Sequence, residues 1–266
     1  MGTRKFKPGR TLLWAVVILV LFFLSIPLFV VFPISLSASS YLEFPPKSLS
    51  LQWYENYFSS HAWISATALS FKVGLMVMFV ASIFGTLAAF GFNRGNVRWK
   101  GGIFVFLLSP MIIPHIVISV GIYSFFAKLH LIENYWGLVL GHSIIATPFV
   151  FINVFAALQG FDKTLEKASA SLGAHPFKTF YRITFPLIRP GIFVGALFAF
   201  LTSFDELVIS MWLSGTRHTL PVKMWMDVRL EINPTLAAVS SLLIALSILT
   251  FFSAEIIRHR TERKYS

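Results

Sequence analysis

The sequence predicts an all-α integral membrane protein, a bundle of six transmembrane helices with both termini on the cytoplasmic side. Three observations predict it. The first is composition: of 266 residues, 56% are hydrophobic and only 12% are charged, with a mean hydropathy of +0.75. A soluble domain carries about 25% charged residues. The second is the length of the apolar runs. Six stretches, at about 12–36, 63–92, 102–127, 135–158, 191–213 and 236–257, reach the ~20 residues that cross a bilayer as a helix. Over such spans in lipid only a helix satisfies its own backbone, and the runs are too long for barrel strands. The third is the placement of Lys and Arg. With the N-terminus inside, sixteen of the 22 fall in inside segments, five fall outside and Lys72 lies in a span; this bias sets orientation.

The elements follow in order. Residues 1–36 form a basic cytoplasmic tail, "MGTRKFKPGR", and the first span. The apolar run from Thr11 to about Leu36 exceeds the roughly 7–15 residues of a cleavable signal core, so it reads as a retained helix. Residues 37–62 form an outside loop whose Pro45–Pro46 pair and aromatics predict an ordered cap. Residues 63–257 form the core, with five further spans and a long inside loop at 159–190; a basic cytoplasmic tail at 258–266 ends the chain. Pro110 and Pro114 fall four apart in the third span and Pro148 falls in the fourth. Each removes a helix hydrogen bond and frees a carbonyl, which is tolerated where neighbours or a water-lined path satisfy it.

Net charge is +11. In a soluble chain this suggests nucleic acid, but here the cations serve orientation and no basic face alternates with aromatics outside the spans, so no nucleic-acid partner is expected. The chain has no Cys, which excludes disulfides, thiolate metal sites and Cys nucleophiles. HExxH, GxSxG and GxxxxGK[ST] are all absent, so the motifs of a zincin protease, an α/β-hydrolase and a P-loop ATPase are missing. His115, His130 and His142 are scattered. No catalytic residue and no metal site are expected.

Ionisable residues inside the spans are the better lead, because they are costly and usually functional. Asp205 and Glu206 in "LTSFDELVISMWL" fall in the fifth span, about 20 Å from its inner end at 1.5 Å per residue. Helix neighbours point about 100° apart, so one of the two is expected to face any given cavity. Lys72 is the base within a span. The readings stand side by side: a polar translocation path that attracts a cation, a structural pair with Lys72, or a carboxylate near the interface that snorkels to water. Tyr123 and Trp225 are further candidates for lining the path.

The inside loop, "LEKASASLGAHPFKTFYRITFPLIRPG", is longer than a connector needs to be. Asp162 is a plausible helix N-cap, with Leu165, Ala168 and Leu172 forming a narrow apolar stripe behind it. Gly173 stops that helix, and Pro176 suits the first turn of a second, which separates Phe177, Phe180 and Tyr181 from Lys178 and Arg182. Pro186 and Pro190 are expected to break the path before the next span. Two short amphipathic helices around a tight turn suit a membrane surface or a partner's groove.

The loop resembles the signature loop of ATP-binding-cassette (ABC) importer permeases: Glu-Ala-Ala, three residues, Gly, nine residues, Ile, any residue, Leu-Pro. Gly173, Ile183 and Pro186 match at that spacing; Lys167-Ala168-Ser169 stand at the Glu-Ala-Ala positions, Phe185 at the Leu, and Glu166 falls one residue early. "NRGNVRWKG", "LLSPMIIPHIV", "SFDELVISMWLSG" and "TLPVKMWMDVRLEINPTLAAVSSLLI" are similar to the polyamine/opine branch of these permeases, in particular to the C-type subunits of spermidine/putrescine systems, over about residues 60–255. The resemblance implies a type I, MetI-like, six-helix permease of the bacterial inner membrane. It implies a non-catalytic subunit that works with a second permease in a heterodimer, two ATPase subunits, a periplasmic substrate-binding protein and membrane lipid. It implies no cofactor on this chain, with ATP and Mg on the partner ATPases. It assigns ATPase coupling to Glu166, Lys167, Ala168, Gly173, Ala174, Phe177 and Phe180, and leaves Asp205, Glu206, Lys72, Tyr123 and Trp225 to the path. The substrate expected is a small cationic metabolite, a polyamine. An opine, an amino-acid-like compound or an aminophosphonate is the alternative. A secondary transporter with a coupling ion at Asp205 or Glu206 is a more distant one, which predicts inverted repeats that the sequence does not display.

Overall fold

The computed structural model describes residues 8–95, 98–230 and 233–249. The tail at 258–266, the basic residues before Pro8 and the end of the sixth run lie outside the described residues. Among the described residues the backbone is helical apart from connections and one isolated bridge, Ser37 to Leu49. The chain divides into two compact units, residues 1–64 with 224–266, and residues 65–223.

The first unit holds α1 (Pro8–Ser35), α2 (Gln52–Ser59) and α12 (Thr235–Leu249), with the start of α3 (His61–Arg94) and the end of α11 (Leu220–Leu230). The segment expected as an ordered outer loop is tied down by side chains. The Trp53 indole donates to the Ser37 carbonyl at 2.8 Å. The Tyr54 hydroxyl lies 2.7 Å from both Ser35 Oγ and Ser241 Oγ, and the Asn56 amide donates to Thr235 Oγ1 at 2.9 Å. These bonds join α2 to the end of α1 and the start of α12.

The second unit holds most of α3 (His61–Arg94), then α4 (Lys100–Ile112), α5 (His115–Lys128), α6 (Tyr135–Gln159), α7 (Thr164–Ser171), α8 (Pro176–Thr179), α9 (Phe185–Phe204), α10 (Val208–Leu213) and the first turn of α11 (Leu220–Leu230). Its centre is α6. Val150, Phe151 and Val154 of α6 have no exposed surface, and they share one buried cluster with Val73 and Val77 of α3, Ile188 of α9 and Ile209 and Leu213 of α10. Lipid tails are as apolar as Leu, so close packing rather than water exclusion joins such helices. Small residues make that packing possible: a Cβ on Gly195 of α9 would lie 2.7 Å from the Val150 Cα. Aromatics fill the rest, as where Phe92, Phe104 and Phe155 surround Phe151 with ring centroids 5.2–6.1 Å apart.

Among the described residues, four helices are long and apolar enough to cross a membrane: α1 from Leu12, α3, α6 and the continuous helical run Pro176–Phe204. They are five if α4 and α5 count as one bent span. The runs at 63–92 and 135–158 appear as α3 and α6. The run at 102–127 is not one continuous helix. It turns by 100° between α4 and α5, because Pro114 has no N–H to donate and holds Ile113 extended at ψ 132°. Pro110 stays inside α4.

The fifth span also departs from expectation at both ends. Pro186 and Pro190 do not break the chain. Between α8 and α9 the backbone makes a π-helical turn, Phe180–Thr184, and Pro186 sits in the first turn of α9, where a missing N–H costs least. At the other end α9 stops at Phe204 and α10 begins at Val208. Asp205 and Glu206 therefore lie in a break between helices, not within the span.

Candidate functional site

The break at 205–207 is built by its own side chains. Short polar groups compete with the helix backbone for hydrogen bonds, and here the Glu206 carboxylate takes that role. Its Oε1 accepts the Ile209 N–H at 2.9 Å, satisfying an otherwise unpaired donor at the start of α10. Its Oε2 lies 2.9 Å from His115 Nδ1, close enough for an ion pair when the imidazole carries its second proton. Both carboxylate oxygens are thus engaged, and Glu206 is 4% exposed. His115 is the first residue of α5, directly after Pro114, so one polar contact connects the break in the α4–α5 pair to the break between α9 and α10. Asp205 is exposed and its carboxylate makes no bond or ion pair among the described residues. His115, Thr202, Asp205 and Glu206, with Phe198, Leu201, Phe204 and other apolar side chains, line a recess of about 640 Å³. Contrary to the helical-neighbour argument, both acids line it, because they are not on a helix.

His142 of α6 stands behind the recess. Its buried ring meets Ser203 Oγ of α9 through Nδ1 at 2.9 Å and Ser210 Oγ of α10 through Nε2 at 3.0 Å. It therefore staples the two sides of the break to the central helix. The other path candidates are placed elsewhere. Lys72 is on α3 with its side chain exposed rather than buried; it does not line the recess, and Glu206 pairs with His115 in its stead. Tyr123 of α5 stacks edge-on against Trp212 at 5.4 Å. Trp225 belongs to the first unit, where the Arg229 guanidinium sits 4.8 Å above its ring.

The second candidate region is the loop from Asp162 to Thr184. It forms the two expected short helices. Asp162 lies one residue ahead of the N-cap position, Lys163, yet it does the capping: it accepts the Thr164 N–H at 2.9 Å and the Thr164 hydroxyl at 2.6 Å. These bonds hold its carboxyl below the usual carboxylate range. Gly173 closes α7 at φ +77°, a left-handed conformation that glycine adopts without strain. Pro176 opens α8 and His175 Nδ1 accepts the Phe177 N–H at 3.3 Å. The Ser169 and Thr179 hydroxyls, 2.9 Å apart, join the two helices.

The seven coupling candidates divide by direction. Lys167, Ala168, Gly173 and Phe177 are exposed, and Phe177 and Leu172 project 73% and 88% exposed apolar side chains. Glu166 turns back into the protein, where its Oε1 accepts from the Arg94 guanidinium and the Thr184 hydroxyl. Phe180 is half-buried and packs edge-on against Phe90 at 5.3 Å, the same ring that Arg94 covers at 5.0 Å. Ala174 is half-buried. Sequence reasoning missed His115, His142, Arg94 and Thr184. Only His115 carried a local signal, its place just after a helix-breaking proline.

Comparison with known proteins gives this geometry its context. The family model described as "binding-protein-dependent transport system inner membrane component" matches residues 81–263. The chain is 28% identical over 215 residues to the spermidine/putrescine transport system permease protein PotC of Haemophilus influenzae, covering 80% of this chain and 84% of that one. It is 31% identical over 223 residues to the putrescine transport system permease protein PotI of Escherichia coli K12, covering 81% and 79%. Among solved structures, it resembles a chain of a bacterial ABC transporter involved in import of the acidic polysaccharide alginate, at a TM-score of 0.73 and 14% identity over 97% of this chain and 99% of that one. It also resembles a chain of the MetNI methionine ABC transporter in an inward-facing form, at 0.56 and 18% over 75% and 98%. At these identities the structural likeness speaks for the fold alone, a type I ABC permease-like one.

Proposed function

Because this chain belongs to the binding-protein-dependent transport system inner membrane components, as an ABC importer permease subunit, we propose that it forms half of a translocation path for a small cationic metabolite, a polyamine of the putrescine or spermidine kind. The observation that carries this reading is the recess at the helix break: its acidic lining is Asp205 and Glu206, and among the described residues no Lys or Arg lines it. An ammonium group is the natural ligand of an open carboxylate, whereas an opine or aminophosphonate would also need a strong cation for its anionic end. The relatives named for putrescine and spermidine transport support the same substrate class.

The chain acts as a non-catalytic subunit in this reading. Its partners are a second permease, two ATPases that bind ATP and Mg, and a periplasmic binding protein, and both termini lie in the cytoplasm. ATP-driven closure of the ATPases moves the loop at 159–190, with Lys167, Ala168, Gly173 and Phe177 at the contact, and the helices rock to open the recess outward. Support comes from the exposed apolar knob of Leu172 and Phe177 on a surface otherwise rich in Lys and Arg.

The test is uptake by the reconstituted complex against a panel of polyamines, opines and amino acids. Putrescine or spermidine should be imported, and Asp205→Asn with Glu206→Gln should abolish most of that uptake while the complex still assembles. Unchanged kinetics in the double variant would sink the cation path.

A further inference from the structure

We infer that the His115–Glu206 contact is a latch between two broken helices that the substrate itself opens, and that a second ammonium group on the substrate is what opens it. This rests on the polyamine reading above and deepens it by assigning the two acids different tasks.

The two carboxylates are not equivalent. Asp205 is exposed and unpartnered among the described residues, so it receives an ammonium group without breaking anything. Glu206 is buried, with Oε1 held by the Ile209 N–H and Oε2 by His115 Nδ1. A cation reaches Glu206 only by taking the place of the imidazole. His115 is in position to leave, since its side chain is 42% exposed and lines the same recess. Glu206 is not in position to follow, because its backbone lies in the break and Oε1 stays on α10.

The consequence is mechanical. His115 opens α5 after a 100° bend, and Glu206 opens the approach to α10. Their contact is the polar connection between the two breaks. The free energy that would shift this contact must come from a ligand that binds the open form better than the closed one. A diamine does: one ammonium sits on Asp205, and the other, held in the same recess, competes for Glu206 Oε2. A monoamine of similar length satisfies Asp205 alone and leaves the latch shut. Charge number on the substrate, rather than charge alone, then selects what drives the transporter.

The experiment uses the complete complex in proteoliposomes, with putrescine, spermidine and n-butylamine as probes. His115→Ala removes the competing donor. Its KM for putrescine is expected to fall roughly three- to tenfold, the worth of one net hydrogen bond, and ATP hydrolysis without amine is expected to rise by a similar factor. His115→Gln retains an N–H donor and is expected to stay near wild type, which separates the lost contact from a folding defect. In the wild type, n-butylamine is expected to inhibit putrescine uptake without stimulating hydrolysis. Amine-free hydrolysis in His115→Ala equal to wild type overturns the latch, and so does stimulation by n-butylamine to the putrescine level. Wild-type complex that imports neither putrescine nor spermidine overturns the polyamine reading, and with it the diamine as the opener.

Discussion

Arg94, in the last turn of α3, holds Glu166 in the first turn of α7. Thr184 donates to the same carboxylate oxygen from the π-helical turn, and Arg94 also lies on Phe90, which packs on Phe180. Both ends of the surface loop are thereby fastened to one spanning helix. A partly exposed ion pair contributes only about 0–1 kcal/mol to stability, and under the proposed coupling it would make α3 follow the loop. Arg94→Ala is expected to change the melting temperature little while lowering ATP-driven uptake several-fold. Arg94→Glu combined with Glu166→Arg is expected to recover a good part of it. Transport assays on the single and paired variants check this, and full activity of Arg94→Ala would refute the tie.

Gly173 gives a sharper case, because space is not its constraint. Nothing lies within 4 Å of a Cβ placed there, yet φ is +77°. A non-glycine residue in this conformation costs about 1–2 kcal/mol, less for Asn, which adopts it more readily. Gly173→Asp and Gly173→Val are expected to lose coupling between hydrolysis and transport with normal membrane insertion, and Gly173→Asn to retain more. Binding-protein-stimulated hydrolysis beside uptake ranks the three. Equal activity in Gly173→Val would mean that the turn's shape is not what the partner reads.

His142 is tested by its two partners. Its removal leaves the buried hydroxyls of Ser203 and Ser210 unpaired as well as a cavity. His142→Ala is expected to destabilise the subunit by about 1–3 kcal/mol, seen as a lower unfolding temperature of the purified complex in detergent. Replacing both serines by Ala in that background should add little further loss. A large additional drop would show that each serine is held by something other than the histidine.

Much of this architecture was legible because bilayer thickness and backbone satisfaction impose it. Long apolar runs gave α1, α3 and α6 nearly to the residue, and Gly173 with Pro176 marked the two loop helices. What stayed hidden was decided at a distance. Pro110 and Pro114 look alike in the sequence, and only the second breaks its helix. The apolar residues on both sides of Asp205 and Glu206 read as one helix, whereas the break exists because the Glu206 carboxylate serves the α10 backbone and His115, 91 positions earlier in the chain. A partner that remote leaves no local pattern. Pro186 and Pro190 were misread because Pro186 falls in the first turn of α9, where a missing N–H costs least, and Pro190 is carried inside that helix.

The π-helical turn before α9 has a further consequence. From Pro176 to Phe204 the chain is one rod of 29 residues, about 43 Å long at 1.5 Å per residue. Its near tip is the exposed Phe177 and its far tip adjoins the acidic recess. No unwound residue separates the two ends, and between them Gly195 crosses close to Val150. Under the proposed coupling, shortening or softening this run anywhere between is expected to lower transport without touching either end.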